Sequence, residues 1–514
     1  MVLPLTPIRF LYRAADLYAR KAAVISGDRT FTYAEFAERC ERLASGLGAV
    51  GVKPGDRVAC LCFNRHQLLE AYFGVPMVGA ILLPLNVRLA ASELSQLLEH
   101  SGASVLLYDG EFAPVAEQAR AVCPPLKCAL PLDGDSGYEE LLAAGSARRI
   151  DWTGIDENSP AELFYTSGST GTPKGVLLTH RALYLHGKSV ALLMPEGDRT
   201  VVLQTIPLFH ANGWGYPQAA ALLGATQVMV RRFDAETVFV LIERHRGTYM
   251  CLVPTMAGAL LAAPGRRRFD VSSMKHILIG GAASSPELIE RMEQAFQCEC
   301  LASYGLTEAG PVVTVGRPDN TTAPDSERYR IQAMAGTPIA GVELRVADSG
   351  GSDVPRDMTT AGEVLIRSDH VMAGYYNDPV GTEAALRDGW LYTGDMAVWD
   401  DEGRIHIVDR KKDIIVSGGE NIAPIEIERA ITAHPDVAEC AVVAAPDEKW
   451  GEVPVAVIVP RPGATITAGD ILELLRGRIA KFKMPRRIEF TDTPLPKTGS
   501  GKIRKTEIRA RIQG

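Results

Sequence analysis

Eleven residues, Tyr165-Thr-Ser-Gly-Ser-Thr-Gly-Thr-Pro-Lys-Gly175, do most to limit what this chain can become. They hold five hydroxyl side chains (Thr166, Ser167, Ser169, Thr170, Thr172), the glycines Gly168, Gly171 and Gly175, and Lys174. Glycine lets backbone N–H groups come close to an anion, hydroxyls donate to phosphate oxygens, and lysine adds a movable positive charge. Apolar runs at 161–165 and 176–178 flank the stretch, which predicts a loop between two strands. Clusters of Ser, Thr and Gly are ordinarily surface turns. A turn has no need of five hydroxyls and a lysine; a polyphosphate cradle does. The Walker pattern G-x-x-x-x-G-K-[ST] is not met, because Pro173 precedes Lys174.

Around this loop lie 514 residues, more than one hydrophobic core can organise, so at least two domains are expected. Lysine plus arginine number 54 against 62 acidic residues, a balance of −8 that speaks against a general binder of nucleic acid or anionic membrane. The nine cysteines have no zinc-finger spacing and read as core thiols of a reducing compartment. Residues 1–10 lack the arrangement of a signal peptide, and the apolar window 73–85 is too short and too interrupted by Pro and Gly to span a bilayer. A cytoplasmic protein with no integral membrane segment is expected.

Before the loop, strands alternate with helical periodicity. Thr32-Tyr-Ala-Glu35 is a capping box that opens a helix carrying Phe36, Cys40, Leu43 and Leu47, and strands are predicted at 58–62, 81–84 and 104–108. This alternation predicts a parallel sheet with helices on its faces. Residues 110–156 are less regular and read as a connection. After the loop the alternation resumes to about residue 279. From 336 to 399 short alternating runs with Gly turns predict a small antiparallel or barrel-like sheet, and an α+β pattern fills the last hundred residues.

Further motifs come in a fixed order: Pro207-Leu-Phe-His-Ala-Asn-Gly213, Gly280-Gly-Ala282, Tyr304-Gly-Leu-Thr-Glu-Ala-Gly310, Tyr392-Thr-Gly-Asp395, Gly403-Arg-Ile-His-Ile-Val-Asp-Arg410, Ser417-Gly-Gly-Glu-Asn421 and Pro496-Lys-Thr-Gly-Ser-Gly-Lys502. Together with the loop they resemble the adenylate-forming superfamily of acyl-CoA synthetases, luciferases and peptide-synthetase adenylation domains, most closely its medium- and long-chain fatty acyl-CoA synthetases. The resemblance implies an α/β fold: a large N-terminal domain of stacked α/β sheets plus the small barrel-like sheet (1–411), and a small mobile α+β domain (412–514) that rotates about Lys412.

It also implies cosubstrates and roles. ATP would be held by Thr166, Ser167, Gly168, Ser169, Thr170, Gly171, Lys174, Gly281, Ser303, Tyr304, Gly305, Thr307, Asp395, Arg410 and Lys502. Within that set Glu308 and Thr166 would take Mg²⁺, Tyr304 would stack on adenine beside Gly281, and Asp395 and Arg410 would meet the ribose. Glu308, Thr307 and Lys502 are the implied catalytic residues, Lys502 bridging the acyl carboxylate and the α-phosphate. The acyl pocket falls to His210, Asn212, Trp214, Gly280 and Gly281, and the CoA side to Ser417, Gly418 and Gly419. Similar proteins are commonly homodimers.

Taken alone, each residue has a plainer reading. A single Glu on a loop is usually solvated, an Asp after Tyr-Thr-Gly usually caps a turn, a Trp in an apolar run is usually core, and a basic tail usually serves solubility. The pocket stretches carry no Arg or Lys for a second carboxylate and no Asp for an ammonium group, which points to hydrophobic monocarboxylates. The alternatives are an adenylating ligase that hands an aryl or acyl group to a carrier-protein thiol, a non-catalytic nucleotide or acyl sensor, and, remotely, luciferase-like oxygenation. The sensor would be favoured by loss of Glu308, Asp395 or Lys502, and all three are present.

Overall fold

A computed structural model describes residues 3–166, 173–318, 324–410, 413–417, 420–447, 450–476, 478–479, 481–497 and 503–513. The roles expected of Ser167, Gly168, Ser169, Thr170, Gly171, Lys412, Gly418, Gly419 and Lys502 lie outside the described residues. The chain forms two compact units, 1–343 with 367–391, and 344–366 with 392–514.

The first unit is built on two large sheets. One has seven strands in the order Gly374–Tyr375, Lys174–Thr179, Pro160–Thr166, Ile81–Pro84, Arg57–Leu61, Val105–Tyr108 and Cys128–Pro131. The other has nine, and its centre runs Glu299–Gly305, His276–Ile279, Tyr249–Leu252, Val201–Gln204, Thr226–Met229 and Ala22–Ser26, all parallel neighbours. Strands buried on both faces read as continuous Val, Ile and Leu; Val105–Tyr108 (Val-Leu-Leu-Tyr) is one such run.

The capping box forms as expected. Thr32 Oγ1 accepts from the Glu35 N–H at 3.3 Å and Glu35 Oε2 accepts from the Thr32 N–H at 2.8 Å. The helix it starts, Tyr33–Ala49, sets Phe36 edge-on against Phe73 of His66–Met77, with ring centroids 5.8 Å apart.

Residues 110–156 are more than a connection. They supply the helix Ala113–Val122, the edge strand Cys128–Pro131 and the helix Tyr138–Ala144. Periodicity cannot declare a four-residue strand that ends in proline; an edge position tolerates it because one row of its backbone groups needs no partner. Tyr138 is tied in by donating to the buried Glu70 at 2.6 Å, which also binds Arg39 Nε at 2.7 Å and His66 Nδ1 at 2.8 Å. Burial alone would raise the Glu70 pKa, but His66 and Arg39 outweigh it and hold the carboxyl below its ordinary value.

The second unit holds the small antiparallel sheet expected before residue 400, with Trp390–Trp399 from residue 392 onward paired to Ile405–Arg410. Its α+β part has the strand order Glu420–Ile422, Ile415–Ser417, Gly451–Pro460, Val437–Asp447, with Arg487–Phe490 parallel to Gly451–Pro460. Isoleucines Ile427, Ile431, Ile458 and Ile471 form its core. All nine cysteines are free thiols.

Candidate functional site

Parallel strands deliver the loops at their carboxyl ends to one edge of their sheet, the usual place for a ligand in open α/β folds. Four neighbouring strands of the nine do this here. Val201–Gln204 leads towards His210–Trp214, Tyr249–Leu252 into Val253, His276–Ile279 into Gly280 and Gly281, and Glu299–Gly305 into Thr307 and Glu308. Sequence order scatters these segments over a hundred residues. Sheet order gathers them.

Gly280 marks the closest approach. A Cβ there would lie 2.5 Å from Ser303 Oγ and 2.9 Å from Trp214 Cη2, so no side chain fits and the indole edge rests on the glycine. Gly305 is constrained as tightly, since its Cβ would stand 1.8 Å from the Pro311 carbonyl oxygen. The Leu306 N–H donates to the same Pro311 carbonyl at 3.0 Å, Thr307–Ala309 form a short 3-10 turn between them, and His370 Nδ1–H donates to the Ala309 carbonyl at 3.0 Å. His186 Nε2 accepts from the Val312 N–H at 3.1 Å. Burial pushes both histidines below their ordinary pKa, which keeps His186 neutral and able to accept.

The other large sheet supplies the phosphate-loop stems. Pro160–Thr166 and Lys174–Thr179 pair antiparallel with Thr166 opposite Lys174, and Thr166 Oγ1 donates to the Lys174 carbonyl at 3.5 Å. The strand Gly374–Tyr375 lies alongside, Tyr375 opposite Val176, and carries the link between loop and carboxylate. Lys174 Nζ stands 4.5 Å over the Tyr375 ring and 3.9 Å from Asp378 Oδ2. The Tyr375 hydroxyl donates to Glu308 Oε1 at 3.0 Å, and the Met372 N–H donates to the Glu308 carbonyl at 2.8 Å. Cation, ring and carboxylate thus succeed one another at the mouth of the loop. Tyr375 and Asp378 were missed from sequence; Gly374-Tyr-Tyr376 is too short a signal, and only the pairing with Lys174–Thr179 places it.

Trp214 is 7% exposed and rides on an uncommon backbone. Ala211, Asn212, Gly213, Trp214 and Gly215 have φ of 46°, 51°, 50°, 60° and 78°, a run of left-handed residues. Each non-glycine residue held there costs roughly 1–2 kcal/mol and persists only where surroundings enforce it. Asn212 is fully buried, and its Oδ1 accepts from Gln218 Nε2 at 2.9 Å. Val312 and Val313 beyond the Glu308 turn are buried as well.

In the second unit Asp395 is 4% exposed and sits directly opposite Arg410. The Asp395 N–H donates to Thr393 Oγ1 at 3.1 Å and the Gly394 N–H to Glu363 Oε1 at 3.0 Å, so the turn before Asp395 is fixed on both sides. Ser417 ends the strand Ile415–Ser417, half-buried, with Glu420 and Gly451 as its register partners. Lys505, at the start of the helix Lys505–Gln513, is paired with Glu428 at 2.9 Å and Asp409 at 3.7 Å, and Arg509 with Asp413 at 3.2 Å. Asp409 and Asp413 are therefore both tied to this helix.

Among the described residues no three His, Cys, Asp or Glu side chains converge as a metal cluster, and no helix is long and apolar enough to cross a membrane.

An α/β architecture with phosphate-loop stems facing a Thr-Glu turn defines a nucleotide-handling enzyme class. Residues 11–376 match the AMP-binding enzyme family and 426–502 its C-terminal domain. The chain belongs to the AMP-binding enzyme family. A long-chain-fatty-acid–CoA ligase of Thermus thermophilus is 39% identical over 97% of this chain and 94% of its own. A 4-hydroxybutyrate–CoA ligase of Metallosphaera sedula is 35% identical over 98% and 94%. Among solved structures, ATP-bound MatB from Rhodopseudomonas palustris superposes with a TM-score of 0.89 at 28% identity over 99% of each chain. A fatty acyl CoA synthetase of Mycobacterium tuberculosis does so with 0.77 at 31% identity over 98% of each. Membership of this family implies the use of ATP and CoA.

Proposed function

We propose that this protein is an ATP-dependent acid:CoA ligase that activates hydrophobic monocarboxylic acids as acyl-AMP and passes the acyl group to CoA. The observation that carries the reading is the Lys174–Tyr375–Glu308 succession at the stem of the hydroxyl-rich loop, in a chain whose relatives are CoA ligases. The acid class is supported by the Trp214 edge on Gly280 and by the buried Val312 and Val313.

In the first half-reaction a carboxylate oxygen attacks the α-phosphorus, the α–β anhydride bond breaks and pyrophosphate leaves. Residues 166–174 grip the leaving phosphates, and Lys502 offsets the repulsion between the two anions. Mg²⁺ requires few protein ligands, because it keeps waters and substrate phosphates as the rest; one carboxylate, Glu308, with a hydroxyl from Thr166 suits it. The ion would supply charge neutralisation at the phosphates. Tyr304 and Gly281 hold adenine; Asp395 and Arg410 hold ribose. In the second half-reaction the CoA sulfur attacks the acyl carbon and AMP leaves. Residues 412–514 turn about Lys412 between the two steps, bringing Ser417, Gly418 and Gly419 to the pantetheine arm. A cytoplasmic location and a homodimeric state, the latter common among similar proteins, are part of the same proposal; light scattering on the purified protein checks the oligomeric state.

Pyrophosphate release across straight-chain acids of increasing length, benzoate and cinnamate, with and without CoA, tests the function. Release driven by apolar acids, with acyl-CoA formed when CoA is present, is expected; adenylation without any acyl-CoA would refute the CoA half. Tyr375→Phe keeps the ring under Lys174 and removes the donor to Glu308. It should lower kcat/KM for ATP about tenfold, the worth of a hydrogen bond to a charged group, and leave the acid KM unchanged.

A further inference from the structure

Behind the strand that enters the hydroxyl-rich loop lies a polar cluster in which Glu162 and Gln218 have no role above, and Asn212, expected from the resemblance to line the acyl pocket, turns its side-chain oxygen to Gln218. Glu162, Asn212 and Gln218 are 0%, 0% and 1% exposed. Gln218 Nε2 donates to Glu162 Oε1 at 3.0 Å and to Asn212 Oδ1 at 2.9 Å. The three side chains come from the strand Pro160–Thr166, the left-handed turn and the helix Tyr216–Leu223. One polar atom of each, Glu162 Oε2, Asn212 Nδ2 and Gln218 Oε1, has no partner among the described residues. Apolar side chains of the same volume would satisfy this space at lower cost. What the polar set adds is direction: it joins the turn to a strand four residues from Thr166, two residues before Trp214 meets Gly280.

We propose that Glu162, Gln218 and Asn212 are positioning residues that lock the turn 211–215 to the phosphate-loop strand and so set how closely the Trp214 indole approaches Gly280, which fixes the size of acid accepted. The inference rests on the reading of Trp214 as a wall of the acyl pocket. Burial raises the Glu162 carboxyl well above its ordinary pKa and so favours the neutral acid as the group that bonds Gln218. Tyr72, on the helix His66–Met77, faces it as a further acid, and no cation is paired with it among the described residues.

The test uses Glu162→Gln, an isostere of the neutral acid, with Glu162→Met and Gln218→Met, which keep volume and lose the hydrogen bonds. Acid KM, ATP KM and the emission of Trp214, isolated by subtracting the Trp214→Phe counterpart of each protein, are measured. Glu162→Gln should stay within about twofold of the parent, while each methionine variant should raise the KM for the preferred acid roughly tenfold, a modest share of what misplacing a binding group can cost. Chain-length discrimination should relax, ATP KM should stay within about twofold, and Trp214 emission should shift. Parent-like acid KM and emission in the methionine variants would overturn the proposal. So would an equal loss for acid and ATP, a Glu162→Gln variant as impaired as Glu162→Met, or failure of both methionine variants to fold. If Trp214→Ala leaves acid KM untouched while the methionine variants still shift the emission, the pocket reading fails and the clamp stands.

Discussion

Replacing Lys502 with alanine should slow acyl-adenylate formation on the order of 10³-fold, the scale on which one preorganised charge or donor acts on developing negative charge. Thioester formation from supplied acyl-AMP and CoA should change far less. The asymmetry comes from electrostatics. A carboxylate approaching a triphosphate is repelled, and a cation between the two is needed only while the phosphorus accepts the new oxygen. Once the anhydride exists that repulsion is gone, and the thiol attacks a neutral acyl carbon. Lys505 is held by Glu428 at 2.9 Å and Asp409 at 3.7 Å, which fastens the start of the helix Lys505–Gln513 within its own unit. The two half-reactions are measured separately, by pyrophosphate release and by thioester appearance. Equal loss in both would remove Lys502 from its assigned role.

The parts of the fold and site legible in sequence were those whose chemistry is local. The phosphate-loop stems announced themselves because apolar runs bracket a hydroxyl-rich stretch, and the Thr32–Glu35 cap because its two bonds span three residues. Thr307 and Glu308 were reached through the resemblance of their motif, because a lone Glu on a loop carries no local signal of its own. Cys128–Pro131 could not be singled out, because a four-residue edge strand has no period to read. Tyr375 escaped for a different reason: its meaning lies in a register with Val176 two hundred residues earlier. The left-handed run at 211–215 also escaped. Ala211, Asn212 and Trp214 have no intrinsic preference strong enough to predict it, so the conformation is imposed by tertiary surroundings. Glu162 was invisible within an apolar strand run, where one carboxyl looks like an ordinary outward-facing residue.

That carboxyl gives the second large expected effect. Glu162 is fully buried in the strand Pro160–Thr166, with Gln218 donating to it and no paired cation among the described residues, and desolvation raises its pKa well above the ordinary value. Proton counting sets the sign. Above the ordinary carboxylate pKa the unfolded chain has released this proton while the folded chain keeps it. The folded state then binds more protons, so stability falls as pH rises. The contribution is fully present below the unfolded value and is lost towards the raised folded value, at up to about 1.4 kcal/mol per pH unit in between. Glu162→Gln has no proton to lose. The gap between variant and parent should therefore be smallest below the ordinary carboxylate pKa and should grow in the variant's favour as pH rises above it. Denaturant melts of both proteins at stepped pH measure the gap directly. A gap that stays flat with pH would mean that Glu162 titrates at its ordinary value. One that opens on the acid side would mean that it is ionised and paired in the folded protein. Either result would also remove the neutral hydrogen bond from which Gln218 and Asn212 are argued to hold the turn beneath Trp214.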